Sequence, residues 1–212
     1  MRAGRHAVNA YDHGMLPLYI DDQMLVLNKP PGLLSVPGRT EPDCLAARAQ
    51  AVWPDALVVH RLDQATSGLL VMARGLPAQR ALSLAFERRK VHKTYVAVVE
   101  GLVAEESGSV DLPLIVDWPN RPRQVVDHAL GKPALTHWRV LDRRQGRTRL
   151  QLQPVTGRSH QLRVHMQALG HPIVGDDLYG TAGPRLLLHA HALQVPHPQD
   201  GRPMAFESPL PF

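Results

Sequence analysis

One cysteine, Cys44, stands among 212 residues, so no intrachain disulfide can form and a reducing compartment is implied. HExxH and CxxC are absent, and the twelve histidines are scattered rather than grouped at ligand spacing, which argues against a metal site. There is neither a Rossmann glycine fingerprint nor a P-loop, so cofactor-free chemistry is the simpler assumption. No apolar run approaches the roughly 18 residues of a membrane span, and Arg2 and Arg5 are followed by no apolar segment of the kind that directs export. Repeats and low-complexity tracts are also missing. These absences describe a cytoplasmic protein without metal, cofactor, membrane attachment or obligate protein partner.

What is present is a soluble composition, 44% hydrophobic and 20% charged, with 19 prolines and 16 glycines that predict many turns. Its size fits one compact catalytic unit. The formal charge is +5, and the excess is concentrated. From Arg74 to Lys93 six Lys/Arg face one acid, Glu87, and from Arg139 to Arg149 five arginines face Asp142. Such clustering fits a polyanionic partner, although a solvated helix face and a charged hairpin would look the same.

Residues 1–15 lack periodicity and read as a flexible lead-in, leaving 16–212 as the catalytic domain. LYIDDQMLVLNK reads as two short strands closed by Pro30, Pro31 and Gly32. DCLAARAQAVW reads as a helix capped by Asp43. LVVHRL (57–62) and GLLVMAR (68–74) are strand-like and hold the polar loop DQATS between them. PAQRALSLAFERRK predicts an amphipathic helix entering at Pro77, with Ala81, Leu84 and Ala85 on its apolar side. Further strands are expected at KTYVAVVEG, ALTHWRVL, TRLQLQPV and in the two stretches from 185 to 208. A helix from about Ser159 to Leu169 stops at Gly170 and turns Leu162, Met166 and Leu169 to the core, with Arg163 on another face. Strands without βαβα alternation point to an α+β fold with a mixed, largely antiparallel sheet and flanking helices.

Two clusters carry functional residue types. HRLDQATSG (60–68) permits three readings: Asp63 as nucleophile, Ser67 as nucleophile with His60 as base, or a structural turn in which Asp63 and Thr66 satisfy backbone amides. GRSHQLRVHM (157–166) sets Arg158, His160 and Arg163 at the start of a helix, where anions are favoured. An arginine beside Asp63 would favour its carboxylate form and orient it.

In combination, NKPPGLLSVPG (28–38), HRLDQATSGLLVMAR (60–74), KTYVAVVEG (93–101), GRSHQLRVHMQALGHPIVGDDLYG (157–180) and LLLHAHAL (186–193) resemble, in order, the motifs of the RluA family of pseudouridine synthases. The resemblance implies that family's catalytic fold: two joined subdomains with an active-site cleft between them. It implies RNA uridine isomerisation without a cofactor. Asp63 matches the essential aspartate, which attacks the ribose C1′ or the uracil ring. Tyr95 matches the tyrosine that stacks on the target base and serves in proton transfer, and Arg163 the arginine that pairs with the aspartate. Arg61 matches an arginine that fills the gap left by a flipped nucleotide. His60, Thr66, Arg158, His160 and Leu187 or Leu188 become candidates for contacting the base or the RNA. Lys29, Arg88, Arg89, Lys90, Lys93, Arg121 and Arg123 become candidates for phosphate contact. LPLIVDWPNRPRQ (112–124) resembles the subgroup that modifies both a tRNA anticodon-loop uridine and a 23S rRNA hairpin uridine. Many relatives carry a separate N-terminal S4-type RNA-binding domain, which is not expected here, so substrate choice would lie in the catalytic domain.

The chemistry suits these residue types. Cleaving an N-glycosidic bond calls for a carboxylate near an electron-poor sugar carbon with water kept away. A stacked base cannot enter an enclosed pocket, so the uridine must flip out of a loop. Two rivals remain at this level: a non-catalytic RNA-binding or RNA-folding protein on the same scaffold, and a hydrolase using Ser67 or Asp63.

Overall fold

The computed structural model describes residues 16–212; the expected lead-in at 1–15 lies outside the described residues. The chain runs β1 (Tyr19–Ile20), β2 (Met24–Lys29), α1 (Leu45–Val52), β3 (Ala56–Val58), β4 (Ser67–Arg74), α2 (Gly75–Glu87), β5 (His92–Glu100), β6 (Ser107–Asp111), β7 (Leu114–Val116), β8 (Gln124–Val126), β9 (Leu135–Arg144), β10 (Arg147–Pro154), α3 (Gln161–Ala168), β11 (Leu188–Pro196) and β12 (Pro203–Glu207). One ten-stranded sheet follows the path β1-β2-β4-β11-β5-β10-β9-β6, with β3 on β4 and β12 on β11. Every pairing between these strands is antiparallel except β4 with β11. β7 and β8 form a hairpin outside that sheet. The fold is thus α+β with a mixed, mostly antiparallel sheet, as its sequence patterns indicate.

Burial follows the patterns. β4 is buried on both faces, as its unbroken SGLLVMA run requires. Leu70 and Met72 pack with Leu25, Leu27 and α1's Leu45 and Ala49, while Leu69 and Val71 face α2's Ala78, Leu82 and Ala85. β10 alternates, turning Leu150 and Leu152 onto Leu162 and Met166 of α3. Tyr95 of β5 packs against both the α1 core and the α3 core, so the sheet is continuous where two subdomains meet.

Several local expectations are corrected. Cys44, not Asp43, caps α1, its Sγ accepting from Ala47 N–H at 3.3 Å; Asp43 instead forms an exposed ion pair with Arg48. α2 begins two residues before Pro77 and buries Ala78, Leu82 and Ala85, a shifted face that leaves Leu84 exposed. The strand expected over 57–62 ends at Val58, because its next residues turn into the loop that carries Asp63. β6 and the β7–β8 hairpin lie outside the expected strands. Their short segments carry too little alternation to read as strands.

Gly68 explains the one parallel pairing. It lies at φ +113°, and a Cβ there would sit 2.3 Å from the Ala190 carbonyl oxygen. Only glycine lets β4 meet β11 at this point, and the pairing sets the end of the Asp63 loop against the centre of the sheet.

Candidate active site

The loop from Leu62 to Thr66 is tied at nearly every peptide group. Ser35 Oγ accepts from Leu62 N–H at 3.0 Å and donates to its carbonyl at 2.7 Å. The Gln64 carbonyl accepts from Gly32 N–H and from Lys29 Nζ, both at 2.9 Å. Gln64 Nε2 returns a bond to the Gly32 carbonyl, and Thr66 N–H closes a turn onto the Asp63 carbonyl. These bonds explain why the 28–38 motif accompanies the 60–68 motif. The Asp63 backbone is fixed from both sides, while no side chain bonds its carboxylate among the described residues.

That carboxylate lines a cleft of about 60 Å³ with Leu62, Thr66, Lys93, Tyr95, Leu162 and Leu188, among others. Its charge is felt by Lys29, Tyr95, His160 and Arg163. Burial, aided by Asp63, pushes the Tyr95 hydroxyl's pKa well above its ordinary value, so the phenol keeps its proton. Leu188 takes the lining position offered to Leu187 or Leu188; Leu187 stands just before β11, between Leu186 and Leu188, which share a core that Leu187 does not join.

Arg163 departs from expectation. It is 3% exposed rather than on an outward face, and its fork grips Asp176 at 2.8 and 2.6 Å, with Asp177 at 3.1 Å. A direct ion pair with Asp63 does not form. Burial opposes the guanidinium's charge, but Asp176, Asp63 and Asp177 together hold its pKa above the usual value. Asp176, Asp177 and the adjoining Tyr179 lie in the 157–180 motif but outside the expected site residues.

Other polar residues of that motif are also engaged. Arg158 Nε donates to the Pro133 carbonyl, Gln161 Nε2 to Leu135 and Thr136, and His165 bridges Thr136 and the Leu112 carbonyl. His160, left-handed at φ 53°, precedes α3 and meets the Tyr179 hydroxyl at 2.7 Å. Together these side chains hold both roots of the β7–β8 hairpin, 112–114 and 133–136.

Lys29 is no phosphate ligand. It is wholly buried, donates to the carbonyls of Pro30, Leu33 and Gln64, and is brought by burial down to about 8 against the pull of Asp63. His60 does not enter the Asp63 cleft either. Its Nε2 accepts from Val71 N–H at 3.0 Å and its ring stacks on Phe86. Ser67 is buried and bonded to His189 Nδ1 and Arg185 Nη2, both at 2.8 Å. A Ser67–His60 nucleophilic pair is therefore excluded.

The remaining cations divide by location. Arg61, Arg89, Lys93 and Arg158 line a neighbouring cavity of about 470 Å³ that shares Lys93 and Arg158 with the Asp63 cleft. Arg88 and Lys90 border a separate hollow beside α2. Arg121 lies over the exposed Trp118 ring at 4.3 Å, and Arg123 over Tyr179 at 5.3 Å. Among the described residues no group of three His, Cys, Asp or Glu could hold a metal, and no helix is long and apolar enough to cross a membrane.

A carboxylate without a side-chain partner among the described residues thus lies beside an aromatic ring, on a cleft that shares Lys93 and Arg158 with a cationic cavity. The chain belongs to the RNA pseudouridylate synthase family, whose match spans residues 23–168, and is an RNA pseudouridine synthase, an isomerase. It is 50% identical to the dual-specificity RNA pseudouridine synthase RluA of Escherichia coli O6:H1, over 93% of this chain and 94% of that protein. It is 49% identical to the RluA of Yersinia pestis, over 93% and 100%. The fold superposes on human RNA Pseudouridylate Synthase Domain Containing 1 with a TM-score of 0.81, 28% identity, and coverage of 100% of this chain and 87% of that one.

Proposed function

We propose that this enzyme isomerises a uridine in two kinds of stem-loop, a tRNA anticodon loop and a 23S rRNA hairpin, in the cytoplasm, with Asp63 as nucleophile. The dual-specificity relatives and the WPNRPRQ segment support the pair of substrates. The observation that carries the role of Asp63 is the contrast within its loop: backbone neighbours tied, carboxylate unbonded and facing a cleft. A nucleophile needs that combination of fixed position and free lone pairs.

In this reading the uridine flips into the cleft and its base lies against the Tyr95 ring, with Leu188 and Leu162 excluding water. Asp63 attacks, the bond between N1 and C1′ breaks, and the uracil turns until C5 faces C1′. The new bond forms as Asp63 leaves, C5 gives up its proton and N1 takes one up, so the isomer is completed without net gain or loss of atoms. Arg163, fixed by Asp176, supplies positive charge near Asp63 without neutralising it by contact. Arg61, Arg89, Lys93 and Arg158 bind the adjoining phosphates.

Release of tritium from RNA labelled at uridine C5 tests the proposal. Wild type should release it from transcripts of both hairpins, without added ATP or metal. Asp63→Asn should bind with unchanged affinity and lose activity by about 10⁴-fold or more. Release from only one transcript would remove the dual assignment, and an active Asp63→Asn would remove the nucleophile.

A further inference from the structure

The Asp176–Tyr179 segment has no part in the bond changes just described, yet Tyr179 touches three elements around them. Its backbone N–H donates at 3.0 Å to Asp176 Oδ1, the oxygen that also takes Arg163 Nη2 at 2.6 Å. Its ring centre lies 5.1 Å from the Arg163 guanidinium and 5.3 Å from that of Arg123. Its hydroxyl stands between Gln124 N–H of β8 and His160 Nδ1, each at 2.7 Å.

One proton arrangement satisfies this hydroxyl. A backbone N–H can only donate, so the phenol oxygen accepts from Gln124. Its own proton then requires an acceptor, and His160 Nδ1 is the group at hand, which leaves the imidazole proton on Nε2. The opposite tautomer would strand the hydroxyl proton of a buried side chain. Burial keeps the ring neutral, with Arg163 acting in the same direction and Asp63, Asp176 and Asp177 against it.

Resting on the reading of this cleft as the uridine site, we propose that Tyr179 is a positioning residue. Its hydroxyl fixes His160 as an Nε2–H donor to an acceptor oxygen of the RNA and joins that ring to the β7–β8 hairpin, so that hairpin and cleft are set together. His160 stands between Arg158 and Gln161, which line the cleft, and feels the charge of Asp63; in this proposal it is the group that meets substrate, and Tyr179 acts through it.

Tyr179→Phe keeps the ring and removes only the hydroxyl. His160→Asn keeps an acceptor near the Nδ1 position, loses the Nε2 donor, and suits the left-handed backbone. In ¹⁵N-histidine spectra of the free protein, the signal that vanishes in His160→Asn should report the Nε2–H tautomer in wild type and a mixture in Tyr179→Phe. With stem-loop RNA, each variant should lower kcat about tenfold with KM within about threefold, and the double variant should be no worse than either single one. A proton on Nδ1 in wild type, wild-type kcat in Tyr179→Phe, or additive losses would overturn the proposal. If Tyr179→Phe does not fold, His160→Asn decides: a tenfold fall supports the donor, and wild-type kcat removes it. An absence of tritium release from wild type would defeat the functional reading, while the tautomer would still decide the role of the hydroxyl.

Discussion

The loop that carries Asp63 and the helix that carries Arg163 look alike in sequence, each a short run of cations, hydroxyls and histidine beside apolar residues, but they are held by different means. The loop is held through its backbone: Ser35, Lys29 and Gly32 bond its peptide groups, and Gly68 allows the contact that ends it. The helix is held through side chains, with Gln161, Arg163 and His165 engaged on it and Arg158 and His160 engaged just before it. Backbone anchoring leaves a side chain available for chemistry. Side-chain anchoring commits Gln161, Arg163 and His165 to support, while Arg158 and His160 are bonded through one nitrogen and keep another for RNA, and the difference separates a reactive residue from a scaffold of similar composition.

The largest effect on stability expected from this contrast is on the helix side. Arg163→Met would leave Asp176, fully buried, without its guanidinium, and should cost about 3–5 kcal/mol in urea unfolding. A loss below 1 kcal/mol would mean that the helix does not depend on that pair. On the loop side the vulnerable point is backbone space: Gly68→Ala should cost about 3 kcal/mol through its φ and the clash with Ala190. Wild-type stability in that variant would show that the parallel contact can yield.

An effect smaller per pH unit centres on β4, to which His60 and His189 both bond. Burial lowers His60 to about 3 and His189 to about 4, whereas an unfolded chain takes up these protons near pH 6.5. Between those values the unfolded state binds more protons, so stability falls as pH drops below about 6.5, by up to about 1.4 kcal/mol per pH unit for each ring. Unfolding at pH 7 and pH 5 measures the slope. His189→Gln should remove one ring's share, and an unchanged slope would show that His189 is already charged in the fold.

The strands and helices were legible wherever apolar periodicity was long, as in β4, β5, β9, β10 and α3, and fainter where it was short, as in β6, β7 and β8. Asp63, Tyr95 and Leu188, from three separate motifs, line one cleft, while Arg163 lies outside its lining. What the motifs could not convey was which cations are free. Lys29 and Arg89 are both basic residues beside turns, yet one is enclosed by carbonyls and the other faces a cavity. Deciding between them requires knowing where distant carbonyls and carboxylates fall. Asp176 stands thirteen positions from Arg163, and neither its partner nor its burial follows from local sequence.

Tyr95 lies on β5, which is hydrogen-bonded to β11 along one edge and β10 along the other. A hinge through the floor of the cleft would have to rupture one of those ladders, so the floor beneath Tyr95 is fixed and engagement draws on the RNA. Loops whose nucleotides are already unstacked should be admitted fastest, and selectivity is then drawn from the deformability of the substrate as well as from its sequence.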